Sequence, residues 1–254
     1  MFLNSLESAR EGLEMAEPNG GSAQRAPWRE VHCEDALAWM EREGVLRGCS
    51  LITSLPDASE LPELSLEEWK QWFVGSARRA VASCPPEGVA IFFQTDIKRE
   101  GTWVDKGYLV SRAADECGAA MLWHKVFCRR PPGTVTYGRP AYAHLLCFSA
   151  GVRDAVAHST ADVLPELGEM TWSKAMGAEA CALACRYVRD RTATRTVVDP
   201  FCGVGTVLAV ANALGLDSVG VELSRKRARR ARSLRWSESA GFSGGRIRSG
   251  SSRA

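Results

Sequence analysis

The sequence lacks the features that mark several broad classes of protein. No apolar run approaches the roughly 18 residues of a membrane span, and Glu7 and Arg10 precede any apolar core, so neither a membrane span nor a signal peptide is expected. The tightest cysteine pair, Cys181 and Cys185, has no second Cys or His pair nearby to complete a tetrahedral site, so no metal is expected. The other cysteines are scattered, mostly in apolar runs, which is typical of reduced thiols in a cytoplasmic protein.

Composition indicates an ordinary globular chain with an uneven distribution of charge. The 254 residues are 45% hydrophobic and 24% charged, which is enough to bury one sizeable core. Ten Lys or Arg residues and one acidic residue fall from Arg225 onward, so this end carries +9 and the remainder −7. We expect a disordered leader over residues 1–27, one folded domain over 28–240 and a disordered basic tail over 241–254.

Short apolar runs alternate with amphipathic stretches of helical length, which predicts a mostly parallel sheet covered by helices. The predicted strands lie at 30–33, 49–53, 88–94, 119–127, 142–149, 195–199 and 218–222, and the predicted helices at 35–43, 65–83, 106–117, 173–190, 205–214 and 223–236. The strands at 119–127 and 142–149 are joined by a loop without a helix, so they should form an antiparallel hairpin. The expected fold class is α/β, with a seven-stranded, mostly parallel sheet that contains one antiparallel strand.

The strongest motif begins at Val197 and runs Val-Val-Asp-Pro-Phe-Cys-Gly-Val-Gly-Thr. It predicts a strand that ends at Asp199, a glycine turn and a helix that begins near Gly205. Gly203 and Gly205 permit backbone conformations that a Cβ would disfavour, and they let a ligand approach the main chain. A second strand ends at Glu222, 23 residues after Asp199, where a carboxylate can accept both hydroxyls of a ribose. A glycine turn in an ordinary βαβ unit is the simpler alternative.

The motif lacks the third glycine of a nicotinamide site, and no lysine follows the turn to grip a phosphate. From Asp199 to Thr206 it resembles the cofactor motif of S-adenosylmethionine-dependent methyltransferases of nucleic acids, particularly adenine-N6 and cytosine-N4 amino-methyltransferases and tRNA guanine-N2 enzymes. The resemblance implies a Rossmann-like fold that binds S-adenosyl-L-methionine. It implies that Asp199 and the backbone of Gly203–Gly205 hold the methionine moiety, that Glu222 holds the ribose, and that Phe201 and Thr206 lie at the cofactor.

The resemblance also implies a circularly permuted chain. Only 32 residues follow Glu222, so the remaining strands must lie upstream, and the strand that ends at Asp199 should lie beside the one that ends at Thr53. In this order Asp35 would reach the adenine amino group, although it also fits the N-cap of the helix that follows, and one carboxylate can do both. Lys174, at the start of a predicted helix, is expected to approach the methionine carboxylate.

The catalytic loop of the amino-methyltransferases reads Asp, Asn or Ser, then Pro-Pro, then an aromatic residue that stacks on the base. Here the loop reads Ser-Leu-Pro-Asp from Ser54, so Ser54 and Pro56 fit, while Leu55 and Asp57 depart from the pattern. Asp57 can act as a base, hold a substrate amine or pair with two donors on a guanine edge. Alternatively, it caps a helix or a turn through the residues that follow.

Two further segments are candidates for substrate binding. Gln94 ends a predicted strand at the same sheet edge and Asp96 follows it, and both fit a substrate pocket or plain turn chemistry equally well. The loop from Lys125 to Arg139 has no acidic residue, which favours phosphate binding and base stacking over a solvated hairpin tip. Its candidate contacts are Arg129, Arg130, Tyr137 and Arg139. The basic helix at 225–235 reads as a solvated face.

Together these features predict a methyltransferase that acts on an exocyclic nitrogen of a nucleic acid. RNA is favoured over DNA, because no large insertion offers a DNA-recognition domain. Two alternatives remain open: a methyltransferase of small molecules or proteins, and an inactive partner subunit that binds the cofactor. The altered loop from Ser54 to Asp57 suggests the second.

Overall fold

The computed structural model describes residues 25–99, 101–154, 159–172 and 174–243. Most of the predicted leader and tail lies outside these ranges. Strands and helices alternate along the chain, as the sequence predicts for an α/β fold.

Twelve strands form in the described residues. They are β1 (Arg29–His32), β2 (Cys49–Thr53), β3 (Ala90–Gln94), β4 (Ile97–Arg99), β5 (Thr102–Val104), β6 (Ala120–Cys128), β7 (Tyr142–Ser149), β8 (Val163–Leu164), β9 (Thr196–Asp199), β10 (Asp217–Val221), β11 (Arg235–Ser237) and β12 (Gly241–Ser243). The helices are α1 (Ala36–Glu43), α2 (Leu66–Ser83), α3 (Lys106–Glu116), α4 (Ala178–Arg191), α5 (Thr206–Ala213) and α6 (Arg225–Ser233), and a 3₁₀ turn covers Ala58–Glu60.

Eight strands form the main sheet in the order β1-β10-β9-β2-β3-β7-β6-β8. Strand β7 runs antiparallel to both β3 and β6, and the other pairs are parallel. Strand β9 lies beside β2, with Leu51 opposite Val198, which confirms the predicted neighbours. The predicted count of seven is one short, because the two residues of β8 are too few to give a sequence pattern.

The helices cover both faces of this sheet. On one face, Trp69 and Phe73 of α2 are fully buried, at the i,i+4 spacing that puts two side chains on the same side of a helix. On the other face, Cys181 and Cys185 of α4 are buried at the same spacing. Burial raises the pKa of the Cys185 thiol to about 12, and all nine cysteines are free, so this pair belongs to the core as predicted.

The bounds of two helices and the presence of one hairpin differ most from the predictions. Helix α4 begins five residues later than predicted. Gly177, just before it, packs so closely that an added Cβ would clash with the Leu167 carbonyl oxygen. Helix α6 ends early because β11 follows it and pairs with β12, whose residues had been assigned to the tail. The short β4–β5 hairpin was not predicted. None of the helices in the described ranges is long and apolar enough to cross a membrane.

Candidate active site

The glycine turn between β9 and α5 is shaped by close backbone packing. Gly203 and Gly205 have φ values of 56° and 87°, in the left-handed region that favours glycine. A Cβ on Gly205 would lie 2.7 Å from the Cα of Ala231 in α6, whereas a Cβ on Gly203 would meet nothing within 4 Å. Gly205 therefore lets α6 pack on the turn, and Gly203 leaves open space beside the backbone.

The same turn rests directly on the neighbouring strand β10. A Cβ on Gly220 would lie 2.8 Å from Cys202 Sγ, and the Cys202 N–H donates to the Val221 carbonyl at 3.0 Å. This contact holds the turn against the strand that leads into Glu222. The motif and the second carboxylate are thus brought together by packing as well as by strand order.

A cavity of about 280 Å³ lies at the carboxyl ends of the central strands. It is lined by seven of the eight predicted cofactor residues, namely Asp35, Lys174, Asp199, Phe201, Gly203, Thr206 and Glu222. The eighth, Gly205, does not line it, because its place is against α6. Ser54 and Pro56 of the predicted catalytic loop line the same cavity. Open α/β sheets bind their ligands at this edge.

Asp199 is the most deeply buried acid of the cavity. Its Oδ1 accepts hydrogen bonds from Thr53 Oγ1 at 2.7 Å and from the Phe201 N–H at 3.2 Å. Burial raises the pKa of this carboxyl to about 7, although both hydrogen bonds lower it. Asp199 is therefore poised to change charge near neutral pH.

Glu222 and Asp35 also border the cavity. Glu222 Oε1 accepts from the Ser224 N–H at 2.7 Å and pairs with Arg227 Nε at 3.1 Å. Arg227 also lines the cavity. Sequence analysis missed this residue because it treated α6 as a solvated face. Asp35 caps α1 by accepting from the Ala38 N–H at 2.9 Å, and it lines the cavity as well. Both interpretations of Asp35 are thus compatible with its placement.

Lys174 lines the cavity, but for a different reason than predicted. It precedes α4 by four residues, so the prediction that it lies at a helix start is wrong. Its Nζ instead donates to Ser59 Oγ at 2.9 Å, which ties the segment before α4 to the 3₁₀ turn. Nearby, the hydroxyls of Thr171 and Thr206 are hydrogen-bonded at 2.8 Å.

The loop after β2 is held by Lys106 and Trp69, which sequence analysis did not identify. Asp57 caps the 3₁₀ turn by accepting from the Ser59 N–H at 3.3 Å, which confirms the turn-capping alternative. It also pairs with Lys106 Nζ at 3.5 Å. One residue earlier, the Pro56 carbonyl accepts from Trp69 Nε1 at 3.3 Å. The loop is therefore fixed from α2 and α3 together.

Lys106 is an unusual residue for the start of a helix because it is only 3% exposed. Its ammonium lies 5.8 Å from the centroid of the Trp69 ring. Burial lowers the pKa of Lys106, while the charge of Asp57 opposes that shift. No sequence signal marks it, since a lysine in a first helical turn is ordinarily solvated.

A second cavity of about 40 Å³ adjoins the first and shares Ser54, Leu55, Glu60 and Lys174 with it. Four predicted substrate residues line this smaller cavity, namely Gln94, Asp96, Arg129 and Arg139, together with Asp57 and Lys106. Arg130 and Tyr137 line neither cavity, and Tyr137 is 92% exposed. Lys125 is buried and donates to the Ala161 carbonyl, so its predicted place on a basic surface is wrong.

Gln94 and Asp96 differ sharply in their hydrogen bonding. Gln94 is 1% exposed, and its Nε2 has no hydrogen-bond partner among the described residues. Asp96 accepts from the Lys106 N–H at 2.8 Å, from Tyr142 Oη at 3.2 Å and from His144 Nε2 at 3.0 Å. Burial acts to raise the pKa of Asp96, but the bond and charge of His144 help to lower it overall. Asp96 is thus a structural anchor, whereas Gln94 is not.

One group of side chains has metal-ligand chemistry. Single donor atoms of Asp96, Asp105 and His144 lie within 4.8 Å of one another, close enough to share a cation. His144 already bonds Asp96, and its Nδ1 lies 2.9 Å from His124 Nε2. The expectation that the chain holds no metal stays a prediction.

No family model and no curated protein sequence matches the chain. Solved structures of methyltransferases do. A candidate DNA modification methylase from Thermus thermophilus gives a TM-score of 0.63 at 16% identity, covering 80% of this chain and 92% of that one; its complex with S-adenosyl-L-methionine gives 0.58 at 18%, covering 80% and 91%. The cytosine-N4-specific PvuII DNA methyltransferase gives 0.61 at 17%, covering 81% and 86%. The chain therefore has the fold that these proteins share, as its sequence predicted.

Proposed function

We propose that the chain is an S-adenosylmethionine-dependent methyltransferase that modifies an exocyclic nitrogen of a nucleic acid. One observation carries the proposal: a single cavity at the carboxyl ends of the strands is bordered by the glycine turn, the loop from Ser54 and the carboxylates of Asp35, Asp199 and Glu222. The likeness to structures of DNA methyltransferases, one of them bound to S-adenosyl-L-methionine, supports this assignment.

The cavity has a suitable donor and acceptor set for this cofactor. Glu222 would accept the ribose hydroxyls, for which Oε2 remains beside the two contacts at Oε1, and Asp35 would accept from the adenine amino group. Asp199 would hold the methionine ammonium, and Lys174 would hold its carboxylate. The cofactor supplies an electrophilic methyl group. The residues of the chain bind it, orient it and exclude water from it.

The loop after β2 would prepare the substrate amine. Ser54 borders both cavities. Its hydroxyl can therefore accept a hydrogen bond from an amine in the smaller cavity and direct the nitrogen lone pair toward the larger cavity. Pro56 and Asp57 would complete the catalytic loop. Asp57, held by Lys106 Nζ at 3.5 Å, lines the smaller cavity and can take the proton that the methylated amine releases.

Nucleic acid would approach through the basic residues at the rim. Arg129 and Arg139 line the smaller cavity, and the like charges of Arg139 and Arg130 add to burial in lowering the pKa of Arg129. A phosphate would relieve that repulsion. DNA is the better supported substrate because the similar solved structures are described as DNA methylases. No large inserted domain interrupts the described residues, which keeps RNA as a second candidate. Tyr137 would then stack on a base.

We also propose that the chain is a circular permutant with one methyltransferase domain over residues 28–240. The order of strands in the sheet supports this proposal, since β9 and β10 come late in the chain yet lie between β1 and β2. The segments at 1–27 and 241–254 would flank the domain, except that β12 adds residues 241–243 to the folded part.

Methyl transfer from labelled S-adenosyl-L-methionine to DNA and to RNA, measured side by side, tests the function. Glu222→Ala should weaken cofactor binding at least about ten-fold, because it removes charge-assisted hydrogen bonds, and the exposed Glu63→Ala serves as the matched control. Cofactor binding without label in either nucleic acid would favour the small-molecule, protein or inactive-subunit alternatives. Wild-type protein that does not bind the cofactor would overturn the proposal.

A further inference from the structure

This inference rests on the proposed function. The hydrogen-bonding groups that line the smaller cavity indicate which base is methylated. We infer that this site selects an amino base that also bears a ring carbonyl, cytosine or guanine, over adenine. The inference depends on which hydrogen-bonding groups of the wall are already satisfied and which are not.

Gln94 is the first unsatisfied group. It comes at the end of β3, is 1% exposed and lines the cavity, yet its buried Nε2 bonds to none of the described residues. Buried amide groups almost always have a partner in folded proteins. A buried donor at the wall of a cavity therefore indicates a ligand that accepts a hydrogen bond.

Lys106 is the second donor at the same wall. Its ammonium carries three N–H groups, and among the described residues its one ion pair is with Asp57, at 3.5 Å. The remaining N–H groups are buried with it, since the residue is 3% exposed.

These two donors call for an acceptor with more than one lone pair. A carbonyl oxygen has two, so one oxygen can accept from both Gln94 and Lys106. Cytosine and guanine carry a carbonyl on the ring that bears the amine, whereas adenine offers only ring nitrogens. A base carbonyl that accepts from Gln94 and Lys106, while the base amine donates to Ser54, would give both donors a partner. The amine would then face the larger cavity.

The nature of the methylated base tests this inference directly. Genomic DNA and total RNA are incubated with the protein and methyl-labelled S-adenosyl-L-methionine, digested to nucleosides and separated by chromatography. Label should appear in N-methylated cytidine or guanosine nucleosides, at least ten-fold above N6-methyladenosine. Label mainly in adenosine would overturn the inference and leave the proposed function standing. A lack of label in any nucleoside would overturn both.

Two variants test the donors themselves. Gln94→Leu should raise the KM for nucleic acid at least ten-fold, leave the Kd for S-adenosyl-L-methionine unchanged, and leave the Tm equal or higher, because a buried Nε2 that bonds to none of the described residues is removed. The exposed Gln71→Leu is the matched control. Lys106→Met should raise the same KM, with exposed Lys98→Met as its control. If Gln94→Leu keeps the wild-type KM, or loses activity only together with Tm, Gln94 does not contact the base.

Discussion

The ionisation of Asp199 gives a prediction that pH alone can test. Burial raises the pKa of this carboxyl to about 7, so at pH 6 most molecules carry the neutral acid. An ammonium group binds a carboxylate far better than it binds a neutral carboxyl. If Asp199 holds the methionine ammonium, cofactor affinity must therefore rise with pH through this range.

The magnitude follows from the pKa. About one molecule in eleven is ionised at pH 6 and one in two at pH 7, so the apparent affinity should rise about five-fold over that unit. Above about pH 8 the affinity should fall again, because an α-amino group with a pKa of about 7.7–8.0 loses its own proton.

Calorimetry in two buffers of different ionisation enthalpy measures affinity and proton release together. We expect nearly one proton released per bound cofactor at pH 6 and about half a proton at pH 7. Asp199→Asn should bind more weakly at pH 7 and show no change between pH 6 and pH 7. A wild-type affinity that is flat over this unit, or an Asn variant with the same slope, would refute the reasoning.

The same pKa has the opposite consequence for the protein measured without cofactor. Between the ordinary value of 3.8 and about 7, the folded state keeps a proton that the unfolded state has released, so stability falls as pH rises through this window. Asp199→Asn can keep the Oδ1 acceptor and removes the charge. It should therefore be about 1–3 kcal/mol more stable than wild type at pH 8, where one pKa unit is about 1.4 kcal/mol. Thermal unfolding at pH 8 and pH 5 should show that advantage shrinking at the lower pH.

Three further predictions concern the turn, the catalytic loop and the basic rim. Gly205→Ala should lower the free energy of unfolding by at least about 2 kcal/mol, because an added Cβ strains a φ of 87° and meets α6; a variant with wild-type stability in urea would contradict this. Ser54→Ala and Asp57→Asn should each lower kcat at least ten-fold with cofactor Kd within two-fold, and two fully active variants would make the loop a plain turn. The double variant Arg129→Ala, Arg139→Ala should bind duplex DNA with a weaker salt dependence, reduced by up to about 1.8 in the log–log slope. An unchanged slope would show that these two residues do not contact phosphates.

The central part of the fold could be predicted because its signals are local. The strand, glycine turn, helix and second strand around Asp199 follow one another within 26 residues, from Thr196 to Val221, and the structure has them at almost the predicted bounds. The hairpin of β6 and β7 was predicted from its loop. Strands of two or three residues, such as β8, carry no periodic pattern and were missed.

The residues that hold the site in place, Lys106 and Arg227, could not be predicted because their positions depend on tertiary packing. Lys106 is buried only because α3 packs against α2 and brings its ammonium to Trp69. Arg227 reaches Glu222 only because α6 starts beside the end of β10. In the sequence both look like solvated basic residues on helix surfaces. Tyr137, the candidate from the sequence for stacking on a base, lines neither cavity and is almost fully exposed.

The position of β9 and β10 between β1 and β2 has a consequence for how the chain folds. His32 pairs with Val221 and Leu51 with Val198, so the middle of the sheet joins segments that are far apart in the chain. Closing such long loops is slow, and β1 and β2 keep unpaired edges until it happens. During synthesis β1 and β2 therefore keep exposed edges, which are open to aggregation, until Val221 has left the ribosome. No fragment that ends before β10 can contain the cavity, because Val221, Glu222 and Arg227 line it.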